Sequence, residues 1–245
     1  MSSTIKVITF DLDNTLWDVE PVLLRAEQAQ YHWLQENRER VTRQFDAEGL
    51  RRFRFRAYEL HPELAHQISE LRVQALYEAQ LHCGYAEDLA MAGARQAFEA
   101  FLHVRHQVEP YERALEVLEE LAQRFSLGAL SNGNADVYKV DIGEYFDFAF
   151  SAEQVDASKP LPDMFHAGMQ ASGAASHEII HVGDNPEHDV AGAQRLGMYT
   201  IWMNGGRQDW PGGEPADEEI SSLQQLPQAI ERIGRRAAQR QVVRS

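Results

Sequence analysis

The sequence predicts an α/β fold in which a parallel sheet with crossover helices is broken, after its first strand, by an all-helical insert. Three observations predict it. A nearly continuous apolar run from Ile5 to Phe10 stops at Asp11 and Asp13, and so little polar alternation reads as a strand buried on both faces of a parallel sheet. Helical periodicity then extends from Pro21 to His103 without a convincing strand. From Pro110 onward, short apolar runs alternate with helical segments, which is the pattern of βα units.

Within the insert, Pro21 suits a first helical turn, and Leu23, Leu24, Glu27, Tyr31 and Leu34 follow at helical spacing. Asp46 is placed to cap a helix whose Leu50, Phe53, Ala57 and Leu60 form a stripe toward a helical core. Arg51, Arg52, Arg54 and Arg56 take the solvated faces of that helix. Interleaved arginines and aromatics can mark nucleic-acid contact, but the stripe accounts for the phenylalanines without it. Further helices are expected from Glu63 to about Cys83 and from Glu87 to His103. Beyond the insert, a helix from Ala114 to Arg124 precedes a strand from Leu127 to Ser131. Phe148–Phe150, Ile179–Val182 and Tyr199–Met203 supply three more strands. The arginine-rich stretch from Arg232 to Ser245 predicts a tail that frays from the last helix.

Composition narrows the function. At 245 residues, with 44% apolar and 25% charged residues, the chain can bury one large core, or one core and a smaller insert. No stretch approaches the ~20 consecutive apolar residues of a membrane span, and no basic segment followed by an apolar one opens the chain. No membrane partner and a cytoplasmic location are expected. Cys83 is the only cysteine, which excludes an internal disulfide and a multi-cysteine metal site and reads as a helix-packing residue. A net charge of −15 opposes general nucleic-acid binding. An anionic substrate therefore needs a local positive site. Nothing in the sequence speaks to oligomeric state.

Asp11 and Asp13, spaced i, i+2 at a strand end, can share a side of the chain. The crevice beyond the carboxyl ends of the strands is where open α/β sheets bind ligands. Two acids there call for a cation or a proton between them. Four segments then follow a fixed order: Asp11-x-Asp13-x-Thr15, Ser131-Asn132, Ser158-Lys159-Pro160, and Gly183-Asp184-Asn185-Pro186-Glu187-His188-Asp189. In order and placement they resemble the motifs of the haloacid dehalogenase-like hydrolase superfamily, over nearly the whole chain. Pro21-Val22-Leu23-Leu24-Arg25, Ser131-Asn132-Gly133-Asn134 and Ser158-Lys159-Pro160 carry a closer likeness. That likeness is to bacterial flavin mononucleotide phosphatases, which also act on 5-amino-6-(5-phospho-D-ribitylamino)uracil.

The resemblance implies a Rossmann-like core, residues 1–18 and 106–245, and a helical cap, residues 19–105. It also implies Mg²⁺-dependent hydrolysis of a small phosphomonoester such as flavin mononucleotide. Asp11 and Asp184 would bind the metal through carboxylates, Asp13 through its backbone carbonyl, and Asp189 from close by. Lys159 takes the place of the lysine that neutralises nucleophile and phosphate, and Ser131 and the Asn132 amide would donate to phosphoryl oxygens.

The chemistry is consistent on its own terms. Asp11 can attack phosphorus to form an aspartyl-phosphate, and Asp13 can protonate the leaving alkoxide and later take a proton from water. Asp13 must then titrate above the usual carboxylate range. Each ionised pair of acids at ~4 Å costs roughly 4 kcal/mol at an effective dielectric of 20, which favours a divalent cation with oxygen ligands. His181 and His188 lie nearby, but without cysteines or a His-x-x-x-His pair they do not make a zinc site. Thr15 is assigned to the turn after the first strand, and Asn134 and Trp17 to turn and packing roles.

An acid at position 13 argues against the dehalogenase branch, where no alkoxide needs a proton. A sugar-phosphate phosphatase or a phosphomutase would share every core residue. A non-catalytic phosphoester-binding protein would usually lack one of the acids or the lysine. Arg54, Arg56, Tyr58 and His61 are the candidate substrate contacts in the insert.

Overall fold

The computed structural model describes residues 5–206 and 208–242. The chain divides into two compact units, one formed by the residues up to Asp18 together with those from Glu109 onward, the other by Val19–Val108.

The first unit is built on a six-stranded, wholly parallel sheet in the order β3-β2-β1-β4-β5-β6. Its strands are β1 (Val7–Phe10), β2 (Ser126–Ser131), β3 (Phe148–Ser151), β4 (Ile179–Gly183), β5 (Tyr199–Met203) and β6 (Glu218–Ile220). Every residue of β1 and β4 is buried, as expected of central strands covered on both faces. Strand order reverses between β1 and β4, and a crevice at such a switch point lies at the carboxyl ends of the two strands. The α/β class, the parallel sheet and the helical insertion after β1 are as the sequence predicts. β6 is an addition: three residues beginning with two glutamates offer no apolar run to detect.

The second unit holds α1 (Val19–Asn37), α2 (Glu39–Gln44), α3 (Ala47–Leu60), α4 (Ile68–His82) and α5 (Glu87–Arg105). α5 packs on α1 and α4, and α4 on α3. They enclose a core that includes Ala26, Leu34, Leu50, Val73, Leu76, Phe98 and Phe101. The Asp46 side chain accepts from Gly49 N at 2.7 Å and so caps α3. Leu50 and Ala57 are buried, but Leu60 at the end of the expected stripe is exposed. α4 begins five residues later than periodicity suggests, because Pro62–Leu64 form a 3₁₀ turn and Gln67 leaves helical geometry. Cys83 lies partly buried against this core.

Back in the first unit, α6 (Ala114–Ala122) precedes β2, α7 (Ala152–Val155) and α8 (Asp163–Ser172) lie between β3 and β4, and α9 (Gly192–Gln194) precedes β5. α8 lays Met164 and Phe165 against Val7, Leu130 and Ile179 of the sheet. The last helix, α10 (Leu226–Val242), corrects the expectation of a frayed tail. Ile233 and Ala237 are buried, and Arg232 and Arg236 both bond Glu218, at 2.8 and 2.6 Å. Residues 243–245 of that stretch lie outside the described residues.

Candidate active site

Asp11 follows the last residue of β1, and its backbone N–H still bonds Val182 O of β4 at 2.8 Å, so the strand pairing carries into the Asp11-x-Asp13 segment. The chain then turns sharply. Asn14 adopts a left-handed conformation (φ 61°), which asparagine tolerates better than most residues. Its N–H bonds Trp17 O at 2.7 Å. The turn returns Trp17 alongside Asp13, where the indole Nε1–H donates to Asp13 Oδ1 at 2.8 Å. Trp17 is fully buried, so it holds one oxygen of this carboxylate in place as well as packing. Thr15 Oγ1 reaches Asp11 Oδ2 at 3.4 Å, giving Thr15 a contact with Asp11 in addition to its part in the turn.

Lys159 lies between two acids. Its ammonium donates to Asp11 Oδ1 (2.8 Å), Asp189 Oδ1 (2.6 Å) and Leu130 O (2.6 Å), which uses its three protons. The side chain is 1% exposed, so water does not screen these bonds. The backbone of Lys159 is gripped as well: Asn132 Nδ2 donates to Lys159 O at 3.0 Å, and Lys159 N donates to Asn132 Oδ1 at 2.8 Å. The side-chain amide of Asn132 thus holds the lysine backbone through Oδ1 and one of its two Nδ2 protons. Ser131 closes β2, and its Oγ accepts from Gly133 N at 3.0 Å.

The fourth segment folds around its own side chains. Asn185 Oδ1 accepts from Glu187 N and His188 N at 3.0 and 2.9 Å, capping a π-helical stretch from Pro186 to Ala191. Asp189 Oδ2 accepts from Asn185 N at 3.0 Å, tying the end of that stretch to its start. Gly183 must be glycine for this packing, since a Cβ there would stand 2.2 Å from the Asp189 carboxyl carbon. Trp202 Nε1 of β5 holds Asp184 O at 2.7 Å.

Carboxylate oxygens of Asp11, Asp184 and Asp189 lie within 4.8 Å of one another, a cluster able to hold a metal ion. Burial pushes Asp11 up, with Lys159 opposing and the Asp189 and Asp184 charges adding to the rise. Burial and the neighbouring Asp189 push Asp184 up to about 6. Burial alone would raise Asp189 too, but the Lys159 ammonium and the His181 bond hold it well below the usual carboxylate range. One lysine thus leaves the trio short of positive charge. An all-oxygen set with this deficit fits a hard divalent cation. Asp11 and Asp184 are the better-placed ligands: both oxygens of Asp189 accept bonds of 3.0 Å or less from protein donors, whereas the contact from Thr15 at Asp11 Oδ2 is long, 3.4 Å.

Two residues that the motifs do not identify complete the cluster. His181 Nε2 lies 3.2 Å from Asp189 Oδ1, and Thr9 Oγ1 lies 2.9 Å from His181 Nδ1. Burial pushes the His181 imidazolium down. His188 bonds Asn185 through its backbone. The signal for the first two was a polar residue interrupting each buried strand two positions before the motif, Thr9 before Asp11 and His181 before Gly183.

The substrate contacts proposed for the helical unit divide into two groups. Arg54 is tied to Glu27 at 2.6 Å, alongside Arg51, and His61 is held between Glu63 and Glu78 at 3.0 and 2.9 Å. Arg56 and Tyr58 are exposed.

A parallel sheet presenting a lysine-bridged acid cluster at its switch point, beside a second carboxylate held on its own donor, is the equipment of a phosphoryl-transfer hydrolase. The chain belongs to the haloacid dehalogenase-like hydrolase family, whose model matches residues 5–197. It is 35% identical over 230 residues to the Escherichia coli 5-amino-6-(5-phospho-D-ribitylamino)uracil phosphatase YigB, covering 92% of this chain and 96% of that one. A crystal structure described as a 2-haloacid dehalogenase from Pseudomonas syringae is 40% identical, with a TM-score of 0.88 over 93% of this chain and 99% of that one. A Bacillus subtilis HAD-hydrolase, YfnB, bound to magnesium, shares the fold at 19% identity, with a TM-score of 0.63 over 93% and 99%. The protein is a phosphatase of this family acting on a small phosphorylated substrate.

Proposed function

We propose that the enzyme hydrolyses a ribityl phosphate, flavin mononucleotide or 5-amino-6-(5-phospho-D-ribitylamino)uracil, through an aspartyl-phosphate on Asp11. The observation that carries the route is the Lys159 ammonium, 2.8 Å from Asp11 Oδ1 and fixed on its other side by Asp189. A buried cation there holds the attacking carboxylate in one orientation and offsets the charge of an incoming phosphoryl group. The Ser131 hydroxyl and the Asn132 backbone N–H would donate to phosphoryl oxygens. Asp13, held by Trp17 through one oxygen, uses the other to protonate the leaving alkoxide and then to take a proton from the hydrolytic water.

Asp11, Asp184 and the Asp13 carbonyl would hold Mg²⁺, with Asp189 close by, and the ion would supply further neutralisation of the phosphoryl oxygens. The Pseudomonas structure's description does not change this reading. Halide departs without needing a proton, so an acid held beside the nucleophile serves an alkoxide.

The substrate assignment rests on the E. coli relative, which spans nearly the same length. The test is kcat/KM across a panel of phosphomonoesters with Mg²⁺. Flavin mononucleotide and the ribitylaminouracil phosphate are expected to lead the panel. A flat profile, or a preference of about tenfold for hexose phosphates, a difference of ~1.4 kcal/mol, would remove the ribityl assignment.

A further inference from the structure

Thr9 and His181 are register partners across β1 and β4, and both point to the face that carries Asp11 two residues on. There they form a chain with the site: Thr9 Oγ1 to His181 Nδ1 at 2.9 Å, His181 Nε2 to Asp189 Oδ1 at 3.2 Å, and Asp189 Oδ1 to Lys159 Nζ at 2.6 Å. The last link, Lys159 Nζ to Asp11 Oδ1, spans 2.8 Å. The side chains of His181, Asp189 and Lys159 are at most 2% exposed. Phe165 packs against the imidazole in a T-shaped arrangement, 5.1 Å between centroids at 86°.

The proton positions follow from the partners. Asp189, bonded to an ammonium, offers acceptors only, so Nε2 of His181 carries a proton and donates. A neutral ring then has Nδ1 as an acceptor, which Thr9 O–H satisfies. Any buried imidazole needs a partner on each nitrogen; what sets this one apart is that its Nε2 partner, Asp189 Oδ1, is the same oxygen that holds the Lys159 ammonium.

We propose that His181 is a positioning residue for Lys159. By donating to Asp189 Oδ1 it locks the carboxylate that aims the lysine at Asp11. Thr9 sets the tautomer that makes this donation possible. The inference rests on the reading of Asp11 as nucleophile. His181 touches neither substrate nor the reacting atoms, and acts by removing the freedom of Asp189 to swing its Lys159-bonded oxygen away.

The test uses the full chain with Mg²⁺ and p-nitrophenyl phosphate, whose acidic leaving group departs without a proton from Asp13. His181→Leu keeps an apolar volume and removes the donor; kcat is expected to fall about tenfold with KM changed less than about twofold. His181→Gln returns an N–H near the place of Nε2 and is expected to recover to within about threefold of wild type. A purely packing role would leave kcat per folded enzyme unchanged in both variants, or lower it equally in both. Either result overturns the proposal. Should His181→Leu fail to fold, Thr9→Val decides: a kcat lowered about two- to fourfold at constant KM supports the relay, and an unchanged kcat overturns it. Asp11→Asn, assayed alongside, separates the two readings. Retained activity there removes the nucleophile assignment, whereas loss there with wild-type rates in His181→Leu removes only this inference.

Discussion

Lys159 presents three protons to three fixed acceptors, and the consequence for Asp11 is a carboxylate that cannot turn away from the crevice. Asp11→Asn keeps the shape and removes the nucleophile, so turnover is expected to vanish while the circular dichroism spectrum and the cooperative melt persist. Measurable turnover in a purified, folded variant would exclude Asp11 as the attacking group. Asp13 has a different dependence. Its work is proton transfer to a leaving oxygen, a contribution of ~10²–10⁴ in rate when the acid is correctly aimed. Trp17 Nε1–H aims it. Trp17→Phe keeps most of the buried ring and loses that one bond, so alkyl phosphates are expected to slow by roughly tenfold, a fraction of the full general-acid contribution. The comparison is made in kcat/KM, which reports the steps up to departure of the leaving group and not the later attack of water, where Asp13 acts for every substrate. p-Nitrophenyl phosphate, which needs little protonation, should be nearly unaffected in kcat/KM, and an equal loss of kcat/KM for both substrates would mean that Trp17 acts on something other than the acid role of Asp13.

At the scale of elements, the site is a product of strand ends and of the turns that follow them. β4 ends in Gly183 so that Asp189, six residues later, can fold back over the strand. Gly183→Ala places a Cβ 2.2 Å from the Asp189 carboxyl carbon, and overpacking of this kind typically costs about 1–3 kcal/mol. The expected outcome is a lowered melting temperature together with a loss of activity larger than that of His181→Leu, since Asp189 itself is displaced. A variant with wild-type kcat would show that Asp189 does not need this position.

The same elements explain what was legible in the sequence. Asp11 and Asp184 announce themselves as charged residues that end apolar runs, and Lys159 by its Ser-Lys-Pro setting between the second and fourth motif segments. Thr9 and His181 sit inside such runs, where a single polar residue is easily read as tolerated. They bond each other across 172 residues, beyond the reach of local periodicity. The helices of the insert were readable from their 3.6-residue stripe. β6 and the ordered length of α10 were not, because Glu218 gains its place only when Arg232 and Arg236 fold back onto it.

On the scale of the whole molecule, a chain of net charge −15 concentrates two buried carboxyls and a half-buried one at one point and supplies a single lysine to meet them. Without a second cation, Asp184 (about 6) and Asp11 both hold their protons to higher pH than they do in the unfolded chain. The folded state then binds more protons than the unfolded one above the usual carboxylate range. For these two groups, stability falls as pH rises from about 4 through the folded values. A divalent cation reverses the sign of this contribution, because it binds the ionised carboxylates and only in the folded chain. Saturation at about 100 times Kd is worth about 2.7 kcal/mol, or roughly 5–10 °C in Tm for a chain of this size. At pH 5 the ion must first displace the Asp184 proton, and at pH 8 it need not. Saturating Mg²⁺ is therefore expected to raise Tm clearly at pH 8 and much less at pH 5, against EDTA controls at each pH. An equal shift at the two pH values would mean that the ion binds away from these carboxyls, and no shift at either would remove the metal from the site.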